Sequence, residues 1–203
     1  MIHNLVFDMG NVLLVFDPEH FMTRSGILDP ADRKIMRNEL FHSLEWAQMD
    51  LGVLTEDEAE PLILSRFPER LREKARFLLH HWADEGEMIP GMEDLVTRLK
   101  KAGYRIYLLS NASKKQPEYW NRVGISQLFD GTLVSAFYQT VKPGPEIFRL
   151  FLQKFGLKAE DCVFIDDSHA NAAGAEFCGI KGIVFHGDAG ELERKLELLG
   201  IRG

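Results

Sequence analysis

Cysteine is nearly absent from the chain: 203 residues contain two, Cys162 and Cys178, both in apolar contexts and without a C-x-x-C spacing. That argues against a redox or metal motif built on thiols and leaves two reduced, buried, small hydrophobes. A basic excess is missing too. Lysine and arginine number 24 against 31 acidic residues, for a net charge of −7, so nucleic acid drops out as an expected partner. The one basic cluster, R-L-R-E-K-A-R at 70–76, is interleaved with Leu71, Ala75 and Phe77. It reads as the solvated face of an amphipathic helix rather than a polyanion site. No apolar run reaches membrane-spanning length, and the chain does not open with positive charge followed by an apolar stretch. No repeat or low-complexity segment appears. The expectation is a soluble cytoplasmic protein without a membrane partner, monomer or dimer.

What is present is a core-forming composition, 45% apolar, enough for one α/β domain with an insertion or two small domains. Four short runs rich in β-branched or aromatic residues read as buried strands: 2–8, 104–110, 162–167 and 180–185, with a weaker one at 132–135. Between them lie helical patterns. Glu93 to Ala102 puts Leu95, Val96 and Leu99 on one face. Pro145 to Phe155 opens on proline, a good first helical residue, and repeats Ile147, Phe148, Phe151, Leu152 and Phe155. Ala170 to Cys178 is rich in small residues, which suits close packing on a sheet. This alternation predicts a Rossmann-like parallel sheet with helices on both faces. Residues 16–88 differ: segments 30–41, 55–67 and 69–82 read as helices only, and Thr55 with Glu58 has capping-box spacing. The expected organisation is an α/β core domain, 1–15 and 89–203, with an inserted helical cap domain, 16–88.

Three of the strands end in polar residues: Asp8, then Ser110-Asn111, then Asp166-Asp167. Each alone reads as a cap or turn former. In an open parallel sheet, however, strand carboxyl ends share one rim, which is where ligands bind. Three converging carboxylates repel one another and raise each other's pKa. A hard cation with oxygen ligands resolves that conflict, and Mg²⁺ commonly uses one or two carboxylates plus substrate phosphate. Lys142, in V-K-P-G-P just ahead of a helix start, is placed to reach the same rim and offset a phosphate oxygen or Asp8.

D-M-G-N-V, L-L-S-N, V-K-P and F-I-D-D, in that order and spacing, resemble the four motifs of the haloacid dehalogenase superfamily. The helical insertion resembles that superfamily's small cap, and the likeness covers nearly the whole chain. The D-x-G-N-V form looks most like the bacterial α-D-glucose-1-phosphate phosphatase subgroup. The resemblance implies that Asp8 is a nucleophile forming an aspartyl-phosphate. It implies that Asp8, the Gly10 carbonyl, Asp166 and Asp167 hold Mg²⁺, one of the last two acting through water. Ser110 and the backbone amide of Asn111 would bind phosphate oxygens, and Lys142 would offset charge during transfer. Lys114 and Lys115 would steer anions or simply start an exposed helix. The substrate class implied is small phosphorylated metabolites, sugar phosphates foremost.

One position departs from the pattern. Members that hydrolyse phosphate esters usually carry a second Asp two residues after the nucleophile, to protonate the leaving alcohol and then activate water. Gly10 stands there. Positioned acid–base groups contribute roughly 10²–10⁴-fold, so the enzyme is slow on alkyl phosphates, or another group supplies the proton, or turnover is lost. Asp17 is the nearest acid, although Asp17-Pro18 also reads as a helix cap. Among cap residues, Glu45, Trp46 and Gln48 precede the Gly52 turn, with Trp46 either stacking on substrate or filling the cap core. A metal-free 2-haloacid dehalogenase and a non-catalytic phosphometabolite binder are the competing readings. The adjacent Asp166-Asp167 pair speaks against the first, and intact Asp8, Lys142 and Asp167 against the second.

Overall fold

Strand pairing decides the architecture. The computed structural model describes residues 2–84 and 86–203. Strands β1 (Asn4–Phe7), β2 (Arg105–Ser110), β3 (Gly131–Val134), β4 (Cys162–Asp166) and β5 (Lys181–Val184) form one sheet in the order β3-β2-β1-β4-β5, every pair parallel. Alternate residues serve opposite faces, as a pleated strand requires. Leu5, Phe7, Ile106, Leu108, Val163 and Ile165 pack on one side with helices α6 (Met92–Lys101), α7 (Gln116–Trp120) and α10 (Ala189–Leu198). Val6, Tyr107, Leu109 and Phe164 pack on the other with α8 (Pro145–Phe155) and α9 (His169–Phe177). Chain direction across the sheet reverses between β1 and β4, so the crevice beyond their carboxyl ends is the switch point at which such sheets bind ligands. The small-residue reading of α9 has a physical counterpart. A Cβ on Gly174 would lie 2.4 Å from the Pro143 carbonyl oxygen, so only glycine lets the helix press against the Lys142–Pro143 loop.

Between β1 and α6 the chain is helical: α1 (Pro18–Arg24), α2 (Pro30–Met36), α3 (Leu44–Asp50), α4 (Glu56–Leu64) and α5 (Glu69–His81). This inserted cap carries its own apolar cluster, including Met22, Met36, Leu40, Ile63, Leu71 and Leu78. The Thr55–Glu58 capping box forms. Residues 37–41 do not continue α2 as an α-helix. They make a π-helical turn closed by His42 N donating to Arg37 O at 2.8 Å, and the widened turn buries the successive residues Leu40 and Phe41. On α5 the arginines do face outward, pairing with Asp32, Glu60 and Glu73. Phe77 is also on that outer side, 55% exposed and stacked on His81, because it lies half a turn from Ala75. Cys162 is buried as expected, while Cys178 is half-buried; both are free. No helix among the described residues is long and apolar enough to cross a membrane.

The incoming and outgoing segments of the cap run side by side. Ile89 N donates to Leu13 O, Val15 N donates to Glu87 O, and Leu14 and Met88 form an antiparallel bridge. At its far side the cap is seated on the core through the turn after α3. The Ser135 hydroxyl donates to Asp50 O at 2.6 Å. Gly52 has a φ of +74°, and a Cβ there would lie 1.9 Å from Ala136 O. Gly52→Ala is therefore expected to lower stability by roughly 2–4 kcal/mol, through backbone strain and the clash together. A urea titration reads this directly, and an unshifted midpoint would show that the turn does not depend on this seat.

Candidate active site

β1 runs straight into Asp8, whose amide donates to Ile165 O at 2.8 Å, so the Asp8 carboxylate emerges beside the end of β4. Lys142 Nζ lies 2.7 Å from Asp8 Oδ1 and 2.7 Å from Asp166 Oδ2, with all three side chains buried. Asp166 is fully engaged, because its Oδ1 also accepts from Ser168 N and Asn171 Nδ2. Asp167 is more exposed and accepts from Asn11 Nδ2 at 3.3 Å. Oxygens of Asp8, Asp166 and Asp167 all lie within 4.8 Å of one another.

The position of Lys142 comes chiefly from Asn111. The Asn111 side chain accepts from Lys142 N at 2.8 Å and donates to Lys142 O at 2.9 Å, gripping that backbone from the end of β2. Burial disfavours the ammonium, but the Asp8 and Asp166 charges outweigh it and hold the Lys142 pKa above the ordinary lysine value. Burial pushes the Asp8 carboxyl up to about 6, opposed by Lys142 and reinforced by Asp166. Burial, then the Asp166 charge, raises Asp167 as well.

Gly10 lies on the chamber floor, and its backbone does not have a positive φ. A Cβ there would meet Phe16 Cβ at 3.5 Å, an ordinary contact. The left-handed residue is Asn11, at φ +54°, held by Leu14 O and Phe16 N. Steric need therefore does not account for the glycine.

A chamber of about 190 Å³ opens over this cluster, beneath the cap. Asp8, Gly10, Ser110, Asn111, Lys142 and Asp167 line its floor, while Phe16, Trp46, Met49, Leu79, Trp82 and Tyr119 line its walls. Trp46 does both things the sequence suggests, reaching the chamber while packing on Phe41 at 5.3 Å between ring centroids. Glu45 turns away to Arg66, and neither Glu45 nor Gln48 lines the chamber. Asp17 is exposed and caps α1 through Glu19 N, so it is spent on the helix start. Lys115 meets His80 of the cap at 2.9 Å, whereas Lys114 is exposed. Sequence reasoning missed two cap acids on the chamber, Asp50 and Glu56. Glu56 is buried and accepts from the Ser113 hydroxyl, a second tie between cap and core. Asp50 ends α3 and its side chain faces the chamber. The D-x-G run at 50–52, between two helical patterns, was the available signal.

A doubly wound parallel sheet with an acid–lysine cluster at its switch point, roofed by an inserted helical cap, defines a class of α/β hydrolases. Residues 2–179 match the haloacid dehalogenase-like hydrolase family, and the chain belongs to it. It is 28% identical over 203 residues to drimenol cyclase drtB of Aspergillus calidoustus, an alignment covering 97% of this chain and 36% of that protein. It is 31% identical over 108 residues to a glyceraldehyde 3-phosphate phosphatase of Pyrococcus furiosus, covering 52% of this chain and 45% of that one. The chain thus spans less than half the length of either relative. The fold is shared with a haloacid dehalogenase-family enzyme of Bacteroides thetaiotaomicron solved with magnesium and inorganic phosphate. That match has a TM-score of 0.69 and 23% identity, over 95% of this chain and 99% of that one.

Proposed function

We propose that the chain is a Mg²⁺-dependent phosphatase for small phosphate monoesters, sugar phosphates among them, working through an aspartyl-phosphate. The observation that carries this reading is the Lys142 ammonium set between Asp8 and Asp166 at the floor of a capped chamber. The donor set fits a hard cation: three carboxylates with oxygens within 4.8 Å, against one lysine. Asp8, the Gly10 carbonyl, Asp166 and Asp167 would hold it, Asp167 with more free lone pairs than the fully engaged Asp166. Once bound, the cation supplies charge neutralisation at the phosphoryl oxygens.

The chain's own residues do the rest. An Asp8 oxygen attacks phosphorus, the bond to the leaving oxygen breaks, and water then cleaves the acyl phosphate, releasing inorganic phosphate. Lys142 orients Asp8 and offsets charge on the group in transit. The Ser110 hydroxyl and the Asn111 backbone N–H hold phosphate oxygens, and the cap excludes bulk water. The relative named as a glyceraldehyde 3-phosphate phosphatase supports the reaction type.

The chamber narrows the substrate. Its volume is below the roughly 300–1,000 Å³ of sites for drug-sized ligands. Lys142 is the one basic side chain lining it among the described residues, and Asp50 and Glu56 add negative charge. The leaving group is therefore compact, uncharged and apolar on one face, as the edge of a sugar ring is. In a panel assayed for phosphate release with Mg²⁺ and with EDTA, neutral monophosphates are expected to turn over at least tenfold faster than bisphosphates or phosphorylated carboxylic acids. Release of halide from 2-haloacids in EDTA, without phosphate release in Mg²⁺, would replace this reading with the dehalogenase.

A further inference from the structure

The reaction lacks a proton donor at Gly10, and the cap holds an acid without other employment. We propose that Asp50, carried on the cap, is the general acid and base of this site, taking the role that the core residue Gly10 leaves empty. This rests on the phosphatase reading.

Three observations support it. First, placement: Asp50, on the cap, lines the same chamber as Asp8, Ser110 and Lys142 of the core. Second, fixation: its carbonyl accepts from Ser135 Oγ at 2.6 Å, and the same Ser135 oxygen accepts from Ala112 N at 3.0 Å, next to the Ser110-Asn111 phosphate loop. Two residues on, Gly52 is seated on Ala136. The acid is thus held to the strand end that binds phosphate. Third, availability: the Asp50 carboxyl group meets no hydrogen-bond donor among the described residues, whereas Glu56 is engaged with Ser113 and Asp17 with α1.

Its ionisation is suited to both half-reactions. Burial pushes the Asp50 carboxyl up to about 7, and the facing Asp8 and Glu56 charges push the same way while Lys142 opposes them. The Tyr119 phenol, the remaining titratable group on that wall, is raised by burial and then by Asp50, Glu56 and Asp8, so it stays neutral. A group poised near neutrality serves as acid and then as base. In the first step Asp8 bonds to phosphorus and the P–O bond to the leaving group breaks, while the Asp50 proton passes to the leaving oxygen. In the second, the Asp50 carboxylate takes a proton from the attacking water as the Asp8–phosphorus bond breaks. Asp50 ends protonated, as it began. Because Asp50 belongs to the cap, proton transfer requires a closed cap, which protects the acyl phosphate from premature water.

The test compares leaving groups in Asp50→Asn, using a hexose 6-phosphate and p-nitrophenyl phosphate with Mg²⁺. For the sugar phosphate, kcat/KM is expected to fall about 10²–10⁴-fold. Nitrophenolate leaves without a proton, so it should appear as a burst of about one equivalent per enzyme, followed by slow turnover as the phosphoenzyme accumulates. In the wild type, the ratio of the two kcat/KM values should fall as pH rises through neutrality, because the acid form is lost. Gly10→Asp should raise that ratio in the Asp50→Asn background and leave it nearly flat alone. Parallel loss for both substrates without a burst, or no loss for either, overturns the assignment while wild-type turnover leaves the phosphatase reading intact. A wild type inactive on every phosphate ester overturns that reading and this inference with it. Folding of the variant is expected, since the carboxyl group makes no hydrogen bond that Asn would lose.

Discussion

Asp8→Asn is expected to abolish phosphate release, to below about one part in 10⁴ of wild type, while the chain stays folded. Asn cannot form the acyl phosphate, so no bypass through the same intermediate exists. Folding survives for an electrostatic reason. The Asp8 carboxyl titrates in the folded chain at about 6, above its ordinary value of 3.8, chiefly because it is buried. The folded state therefore holds more protons than the unfolded state between those values, and the ionised group costs stability as pH rises through that window. Replacing it by a neutral isostere removes the cost, and Lys142 keeps Asp166 at 2.7 Å. In metal-free buffer at pH 7.5 the variant should melt no lower than wild type. Residual turnover in a folded variant would sink the nucleophile assignment.

Removing divalent cation is expected to have an effect of similar size. Asp8 and Asp166 share one lysine, Asp167 lies beside them, and Lys142 is the one cationic side chain lining the chamber among the described residues. Without added positive charge, a phosphate dianion must approach an already crowded set of carboxylates. Activity in excess EDTA should be undetectable, and Mg²⁺ should restore it. Ca²⁺ should bind without restoring it, because it accepts more ligands at longer distances and takes Asp8 out of line. Binding has its own signature: at about 100 times its dissociation constant, a cation specific for the native state adds about 2.7 kcal/mol. A melting temperature indifferent to Mg²⁺, with full activity in EDTA, would remove the metal from the reaction.

The strand ends were readable from sequence because each depends on local pattern. Apolar runs ending in Asp8, Ser110-Asn111 and Asp166-Asp167 encode both the strand and the polar stop, and parallel pairing does the convergence. Lys142 was readable as a candidate, but its grip by the Asn111 side chain, 31 residues away in sequence, was not. Asp50 and Glu56 were not readable. Their place depends on how the cap lies over the sheet, which is set by Ser135, Ala136 and Ser113, and no helical period records that. Asp17 attracted attention through proximity in sequence to Gly10, yet the helix that begins at Pro18 takes it. Phe77 shows the converse: it was grouped with apolar neighbours, whereas buried Leu71, Ala75, Leu78 and Leu79 fall at a helical spacing that leaves it outside.

The ribbon joining Leu13–Val15 to Glu87–Ile89 makes the whole cap, in polymer terms, a single large loop tied at its neck. Closing such a loop becomes costlier only logarithmically with length, by about 0.6 kcal/mol for each doubling. The neck carries the covalent joins of the insertion to the sheet, while Asp50, Gly52 and Glu56 seat its far side on the core. An ancestor could lengthen, shorten or exchange what hangs there without disturbing β1 or the residues at its tip. If Asp50 carries the proton, such an exchange replaces the acid along with the walls that choose the substrate. Lineages sharing this sheet would then be free to relocate a catalytic group by trading a loop.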